Sequence, residues 1–325
     1  MGVPIGEYIP KKIIDFKDLK NKWVAIDGFN AIYQFLSSIR LKDGSPLKNK
    51  KGEITSAYNG IFYKTINLLE KDIYPIWVFD GEHPELKKKT KELRAKEKEK
   101  AKEKLEEAIK KGKDEDILKY AKRTSSVNNK MIENCKYLLK LMGIPYVQAP
   151  SEGEAQASYM AKKGDVYAVV SQDYDSLLYG APRIVRNLTS TGENLELIEL
   201  NEVLEDLKLD LDSLIDLAIL IGTDYNPKGV KGIGFKRAYE LVRSGVARKI
   251  LEKEVENYYE IKNLFKNPKV TDDYSLSLKL PDKEGLYKFL VEENDFNPER
   301  VKKHIDKLYN IIKSKTKQKT LDSWF

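Results

Sequence analysis

Four short apolar runs in this 325-residue chain each lead into aspartate: KWVAID at Asp27, IYPIWVFD at Asp80, VYAVVSQDYD at Asp173 and Asp175, and IDLAILIGTD at Asp224. The first three are rich in β-branched and aromatic residues and do not alternate, the pattern of strands covered on both faces of a parallel sheet. Helical stretches separate them: NAIYQFLSSIR after the first, SAYNGIFYKTINLLEK before the second, NKMIENCKYLLKLMG and GEAQASYMAKKG before the third. That order predicts an α/β fold, a central mostly parallel sheet flanked by helices. Ligands of such sheets gather outside the carboxyl ends of the strands, where Asp27, Asp80, Asp173 and Asp175 fall. The fourth run has helical spacing and is read as a helix ending near Asp224.

More acids lie between the second and third runs, in APSEGEAQASYM, which carries Glu152 and Glu154. Two residues apart, these would point about 200° away from each other in a regular helix, so they fit better in or just before a first turn, whereas Asp173 and Asp175 would share one face of a strand. Ser151 and Glu154 also match the S-x-x-E capping box, in which the glutamate only closes the helix end. Seven converging carboxylates repel one another, even in a chain whose net charge is +7, and hard divalent cations bound through oxygen relieve that repulsion. With one cysteine and two histidines the chain offers no zinc cluster, and no stretch has the ligand spacing of an EF-hand. Magnesium or manganese is the expected metal, and two ions would polarise a phosphodiester, activate a water and stabilise the leaving oxygen.

Three further segments carry chemistry. From Glu85 to about Lys130, Lys and Glu interleave with few apolar residues, a composition that suits solvated helices broken at Gly112 or a disordered linker. GVKGIGFKRAYELV, Gly229 to Val242, sets glycine-rich turns before a helix whose free amides, with Lys231, Lys236 and Arg237, can seat a phosphate; a plain tight turn between helices explains the glycines equally well. The end of the chain, QKTLDSWF, sets Leu321 and Trp324 one 3₁₀ turn apart and leaves Trp324 and Phe325 as an aromatic anchor for a partner's pocket, or for the chain's own core. Cys135 sits in an apolar helix face and is expected to be a buried thiol. No apolar run approaches the roughly 18 residues of a membrane span, and the N-terminus lacks the pattern of a signal peptide, so an intracellular protein is expected.

Acids, hairpin and tail in this order resemble the archaeal flap structure-specific endonucleases, 5′ nucleases of the XPG/Rad2-like superfamily with a PIN-like core. The resemblance runs from Met1 to Phe325 and is carried by AIDGFNAIYQFL, TSAYNGIFYKT, WVFDG, LMGIPYVQAPSEGEAQASYM, SQDYDSLLYG, GTDYN and GVKGIGFKRA. It implies that Asp27, Asp80, Glu152, Glu154, Asp173, Asp175 and Asp224 hold two Mg2+ ions, with Mn2+ able to substitute, and that Lys87 and Arg94 reach the scissile phosphate. It implies that Tyr33 stacks on a base near the cut and that Arg40 contacts DNA. Gly229, Lys231, Gly232, Gly234, Lys236 and Arg237 would form a helix-hairpin-helix gripping duplex backbone, with K+ at the hairpin. Gln318, Leu321, Trp324 and Phe325 would dock on the sliding clamp, PCNA.

The same resemblance divides the chain into an N-region at 1–98, a helical arch at 84–129 inserted in the core, and an I-region at 116–257 that includes the hairpin at about 225–245. A C-terminal helical region at 258–313 follows, then a flexible tail at 314–325 whose clamp-binding box is 318–325. The implied activity is 5′ flap endonuclease and 5′ to 3′ exonuclease cleavage of branched DNA, in Okazaki-fragment maturation and long-patch base excision repair. The protein is expected to be monomeric, cytoplasmic and independent of membranes. Rival expectations are a junction resolvase sharing the core and a non-catalytic adaptor that binds DNA and clamp.

Overall fold

The computed structural model describes residues 2–111, 127–190 and 194–322. Among the described residues, β1 (Lys12–Ile14), β2 (Trp23–Asp27), β3 (Tyr74–Phe79), β4 (Tyr146–Gln148), β5 (Ala168–Val170), β6 (Arg183–Arg186) and β7 (Leu195–Glu199) form one sheet in the order β1-β7-β6-β5-β2-β3-β4. The five strands from β6 to β4 are parallel, as the unalternating apolar runs predict, and β7 and β1 finish one edge antiparallel. From β2 the chain first adds β3 and β4 on one side and then β5 and β6 on the other. The switch in direction opens a crevice at the carboxyl ends of β2 and β5.

Both faces of the central strands are buried, which is why their sequences do not alternate. Val24 and Ile26 of β2, Trp77 and Phe79 of β3, and Ala168 and Val170 of β5 join one cluster with the helices Gly28–Ser38, Ser56–Glu70, Asn129–Leu141 and Pro298–Asp322. Their neighbours Ala25, Ile76, Val78 and Val169 face the other way, beneath Ala157, Met160 and Ala161 of the helix Gly153–Lys163. Trp77 and Phe79 are fully buried, each contributing about 1.5–3 kcal/mol to this sandwich. A third cluster gathers the helices from Leu200 to Lys266 around the Leu211–Ile221 helix, so the fourth apolar run is indeed helical and delivers Asp224 just past its end. Cys135 is buried in the first cluster, and burial pushes its thiol pKa up.

One expectation here needs correction. β5 ends at Val170, so Asp173 and Asp175 do not share a strand face. The Ser171 hydroxyl accepts from the Asp173 amide at 3.2 Å, and this side-chain turn ends the strand; Asp175 then opens the short helix Asp175–Leu178. The helix Pro298–Asp322 runs through most of the segment 314–325 expected to be a tail. Lys315 anchors that extension, its ammonium paired with Asp72 and 3.3 Å from the Tyr74 hydroxyl. In the Lys/Glu segment Lys88–Lys111 is helical, while Gly112 and the break expected there lie outside the described residues. No helix among the described residues is long and apolar enough to cross a membrane.

Candidate active site

The acids arrive from separate elements, each fixed by a local contact. Asp27 is the N-cap of the Gly28–Ser38 helix, its Oδ1 accepting from the Asn30 amide at 3.0 Å. Asp80, one residue past β3, accepts from the Gly153 amide at 2.6 Å. A Cβ at position 153 would stand 2.7 Å from that same oxygen, so the glycine between the two glutamates permits the contact. Glu152 is the N-cap of the Gly153–Lys163 helix and Glu154 lies in its first turn, where free amides tolerate negative charge. The capping box does not form: the cap position belongs to Glu152 rather than Ser151, and Glu154 instead accepts from the Ser171 hydroxyl at 2.9 Å.

Asp173 and Asp175 are held from an unexpected direction. The Gly2 amide donates to Asp173 at 3.0 Å and the Val3 amide to Asp175 at 2.6 Å. A Cβ at Gly2 would lie 2.7 Å from the Asp173 Cβ, so only glycine fits so close. Further along this N-terminal strap the Tyr8 ring stacks on Phe235 of the Phe235–Arg243 helix, with centroids 3.8 Å apart. The role of this segment is not foreseen from the sequence, where the two glycines of GVPIG are its one available signal. Asn30 was likewise missed: its side chain lies 3.4 Å from Asp173 and accepts from the Gln172 amide, linking the ends of β2 and β5.

Electrostatics link the seven carboxylates: Asp80 and Asp173 act on Asp27, Glu152 on Asp80, Asp224 and Asp173 on Asp175, and Asp175, Asp27 and Asp173 on Glu154. Burial, then the charge of Asp80, pushes the Asp27 carboxyl up to about 8. Burial and Asp224 push Asp175 up to about 7. Asp80 is raised by burial and Glu152, and Glu154 is raised well above the usual range by burial and by Asp175, Asp27 and Asp173. Buried carboxylates that raise one another, with amides fixing the orientation of several, form a predominantly oxygen donor set that fits hard divalent cations.

One cation of the chain already enters the cluster. Lys87 is paired with Glu152, and its Nζ is 3.3 Å from Asp224. Burial alone would lower its pKa, but Glu152, Asp224 and Asp80 together hold it above the usual lysine range. Burial would likewise raise Glu152; hydrogen bonds and charge from His83 and Lys87 overcome that and hold it below the usual range. Lys87 ends the 3₁₀ turn Glu85–Lys87 rather than lying on the following helix. That turn runs directly into the Lys88–Lys111 helix, which carries Arg94 with its side chain outside the described residues.

The remaining expected contacts surround this centre. Tyr33 stands 47% exposed on the helix that Asp27 caps, which argues against a core role. Arg40 follows that helix, its guanidinium donating to the Gly44 carbonyl at 2.8 Å. At the hairpin, Gly229 and Gly232 have φ of +55° and +78°, which favour glycine, and Gly234 is the N-cap of the Phe235–Arg243 helix. Lys231, Lys236 and Arg237 are exposed around these turns. Gln318 and Leu321 lie on the backbone of the Pro298–Asp322 helix with side chains outside the described residues, and Trp324 and Phe325 lie outside them altogether.

Residues 8–101 match the XPG N-terminal domain and residues 143–224 the XPG I-region. Flap endonuclease 1 of Methanocaldococcus jannaschii is 75% identical over 325 residues, the full length of both chains. The chain belongs to the flap endonuclease family. Flap endonuclease 1 of Pyrococcus furiosus is 56% identical over 339 residues, covering 100% of this chain and 99% of its own. Among solved structures, the flap endonuclease-1 from Methanococcus jannaschii matches this flap endonuclease with a TM-score of 0.83 at 74% identity, covering 97% of this chain and 100% of that one. The catalytic core of Rad2 in complex with a DNA substrate, 24% identical, shares the fold at a TM-score of 0.69 over 92% of this chain and 96% of its own. This flap endonuclease is thus a nuclease that hydrolyses phosphodiester bonds at 5′ flaps in DNA.

Proposed function

We propose that the nuclease cleaves by two-metal hydrolysis at Asp27, Asp80, Glu152, Glu154, Asp173, Asp175 and Asp224. The observation that carries this reading is the convergence of these acids from separate elements, with Asp27 and Asp175 raised to about 8 and 7 by burial and by neighbouring carboxylates. Magnesium ions held there would polarise the scissile phosphate and acidify the attacking water. Lys87 and Arg94 add positive charge where the transition state gains negative charge. Tyr33 offers an exposed ring for an unpaired base, a contact indifferent to sequence, and Arg40 a backbone contact. The hairpin residues Gly229, Lys231, Gly232, Gly234, Lys236 and Arg237 grip duplex phosphates, with K+ at the turn.

On this reading the cleavage includes 5′ to 3′ exonuclease action and serves Okazaki-fragment maturation and long-patch base excision repair in the cytoplasm. Gln318, Leu321, Trp324 and Phe325 dock a monomeric enzyme on the sliding clamp, and the Lys/Glu segment forms the arch over the departing strand. The test is a labelled double-flap substrate incubated with and without Mg2+, with the product ends mapped. Cleavage near the junction that requires Mg2+ and leaves a 5′-phosphate is expected; binding without cleavage would leave an adaptor in its place.

Metal binding is also expected in the absence of DNA. Acids whose folded pKa lies above the unfolded value of about 4 make the metal-free fold lose stability as pH rises from about 4 towards 8. In a chelator, melting temperature should therefore fall across that window, and millimolar Mg2+ should restore more at pH 8 than at pH 6, where protons compete for the same oxygens. An ion at a hundred times its Kd contributes about 2.7 kcal/mol, a rise of roughly 5 °C. Differential scanning fluorimetry showing no Mg2+ shift at pH 8 would sink the cluster reading.

The hairpin gives a separate expectation. Replacing Lys231, Lys236 and Arg237 together by glutamine should reduce the slope of log affinity against log salt by about 2–3, since each lost phosphate contact removes about 0.9. Fluorescence anisotropy on duplex DNA reads this directly. An unchanged slope would make the hairpin a structural turn.

A further inference from the structure

One histidine stands among the acids. His83 lies in the turn between β3 and the Lys88–Lys111 helix, half-buried, with Nδ1 3.1 Å from Glu152 Oε1. A ring nitrogen of His83, a carboxylate oxygen of Asp80 and one of Glu152 all lie within 4.8 Å of one another. The backbone fixes this grouping. The Gly81 amide donates to the Ser151 carbonyl at 2.6 Å and the Glu82 amide to the Pro150 carbonyl at 3.3 Å, so the turn carrying His83 is hydrogen-bonded to the segment that delivers Glu152. A Cβ at Gly81 would stand 2.1 Å from the Ala149 carbonyl oxygen, so glycine permits the approach.

We propose that His83 is a nitrogen ligand to a divalent cation held by Asp80 and Glu152, giving this nuclease one mixed nitrogen–oxygen metal subsite that favours Co2+ and Ni2+ over Mg2+. The inference rests on the acid cluster being the metal site. Donors around an octahedral ion of this size lie roughly 3 Å apart when adjacent and roughly 4.2 Å when opposite, so the observed span needs only a small closure. Asp80 spends Oδ1 on the Gly153 amide and keeps its second oxygen for a cation. Imidazole binds later first-row metals better than Mg2+, which prefers oxygen and keeps its waters. The all-carboxylate remainder of the cluster, Asp27, Glu154, Asp173 and Asp175, has no nitrogen donor among these side chains and stays suited to Mg2+.

The chain has two histidines, which makes the proposal readable by spectroscopy. His304 packs edge-on against Tyr63 with Nδ1 bonded to the Arg300 carbonyl, on the Pro298–Asp322 helix. Full-length protein loaded with Mn2+ alone should show the 14N coupling of a bound imidazole in pulsed electron paramagnetic resonance, and His83→Gln and His83→Ala should abolish it. By calorimetry, His83→Gln should weaken Ni2+ binding at least about tenfold while Mg2+ affinity changes less than about threefold. Mn2+ binding without 14N coupling in the wild type overturns the proposal and leaves the acid cluster standing. Equal losses for Ni2+ and Mg2+ also overturn it, since His83 would then act only by orienting Glu152. If neither Mn2+ nor Mg2+ binds the wild type, both this proposal and the cluster reading fail.

Discussion

Glu154→Gln is expected to abolish flap cleavage and at the same time to stabilise the metal-free protein. Glu154 lies against Asp175, Asp27 and Asp173, and its carboxyl is raised well above the usual range. Glutamine keeps the shape and still accepts from the Ser171 hydroxyl, but removes a charge that the fold holds at a cost. Because that cost appears only once the carboxyl ionises, the gain in melting temperature should be small near pH 5 and grow towards pH 8. Cleavage should fall by at least about 100-fold, the upper range for losing a mere supporting partner of a metal site. Single-turnover cleavage of a double flap and melting curves in chelator measure the two effects. A variant that cuts normally but melts lower would mean that Glu154 serves the helix end after all.

Lys87→Met should lose a comparable amount of activity with the opposite effect on stability. Lys87 is the cation paired with Glu152 and Asp224, and its side chain is only 12% exposed. Removing it takes a positive charge away from two acids, Glu152 and Asp224, in a buried setting, a loss of about 3 kcal/mol in chelator. Added Mg2+ should recover much of that stability, because ions replace the missing charge, yet it should not recover the rate. A preorganised positive charge at the scissile phosphate is worth about 10²–10³ in rate. If Mg2+ restores both, Lys87 is a counter-ion and nothing more.

Much of this arrangement is legible in the sequence because it depends on local pattern. Asp27 and Asp80 are found by the unalternating strands that precede them, and Asp224 by the helical spacing of its run. The elements at fault are those decided by contacts. The shared strand face imagined for Asp173 and Asp175 fails because the Ser171 hydroxyl ends β5 early. The S-x-x-E match at Ser151 is defeated when Glu154 finds Ser171 as a partner, 17 residues away. The helix extension to Asp322 depends on Lys315 meeting Asp72 and Tyr74, 243 and 241 positions earlier, a pairing no local pattern announces.

The N-terminal strap sets the order in which the enzyme can be made. Gly2 and Val3 hold acids 171 and 172 positions further along, and Tyr8 stacks on a ring at Phe235. The strap therefore has no seat until the chain as far as Phe235 is in place. Loop-closure entropy rises only slowly with such separations, so the delay costs time more than stability. Asp27 and Asp80 are only two of the seven acids, and the Gly2 and Val3 amides have nothing to hold until Asp173 and Asp175 reach them. The strap thus ties assembly of the acid cluster to the docking of the Phe235–Arg243 helix, two events far apart in the chain.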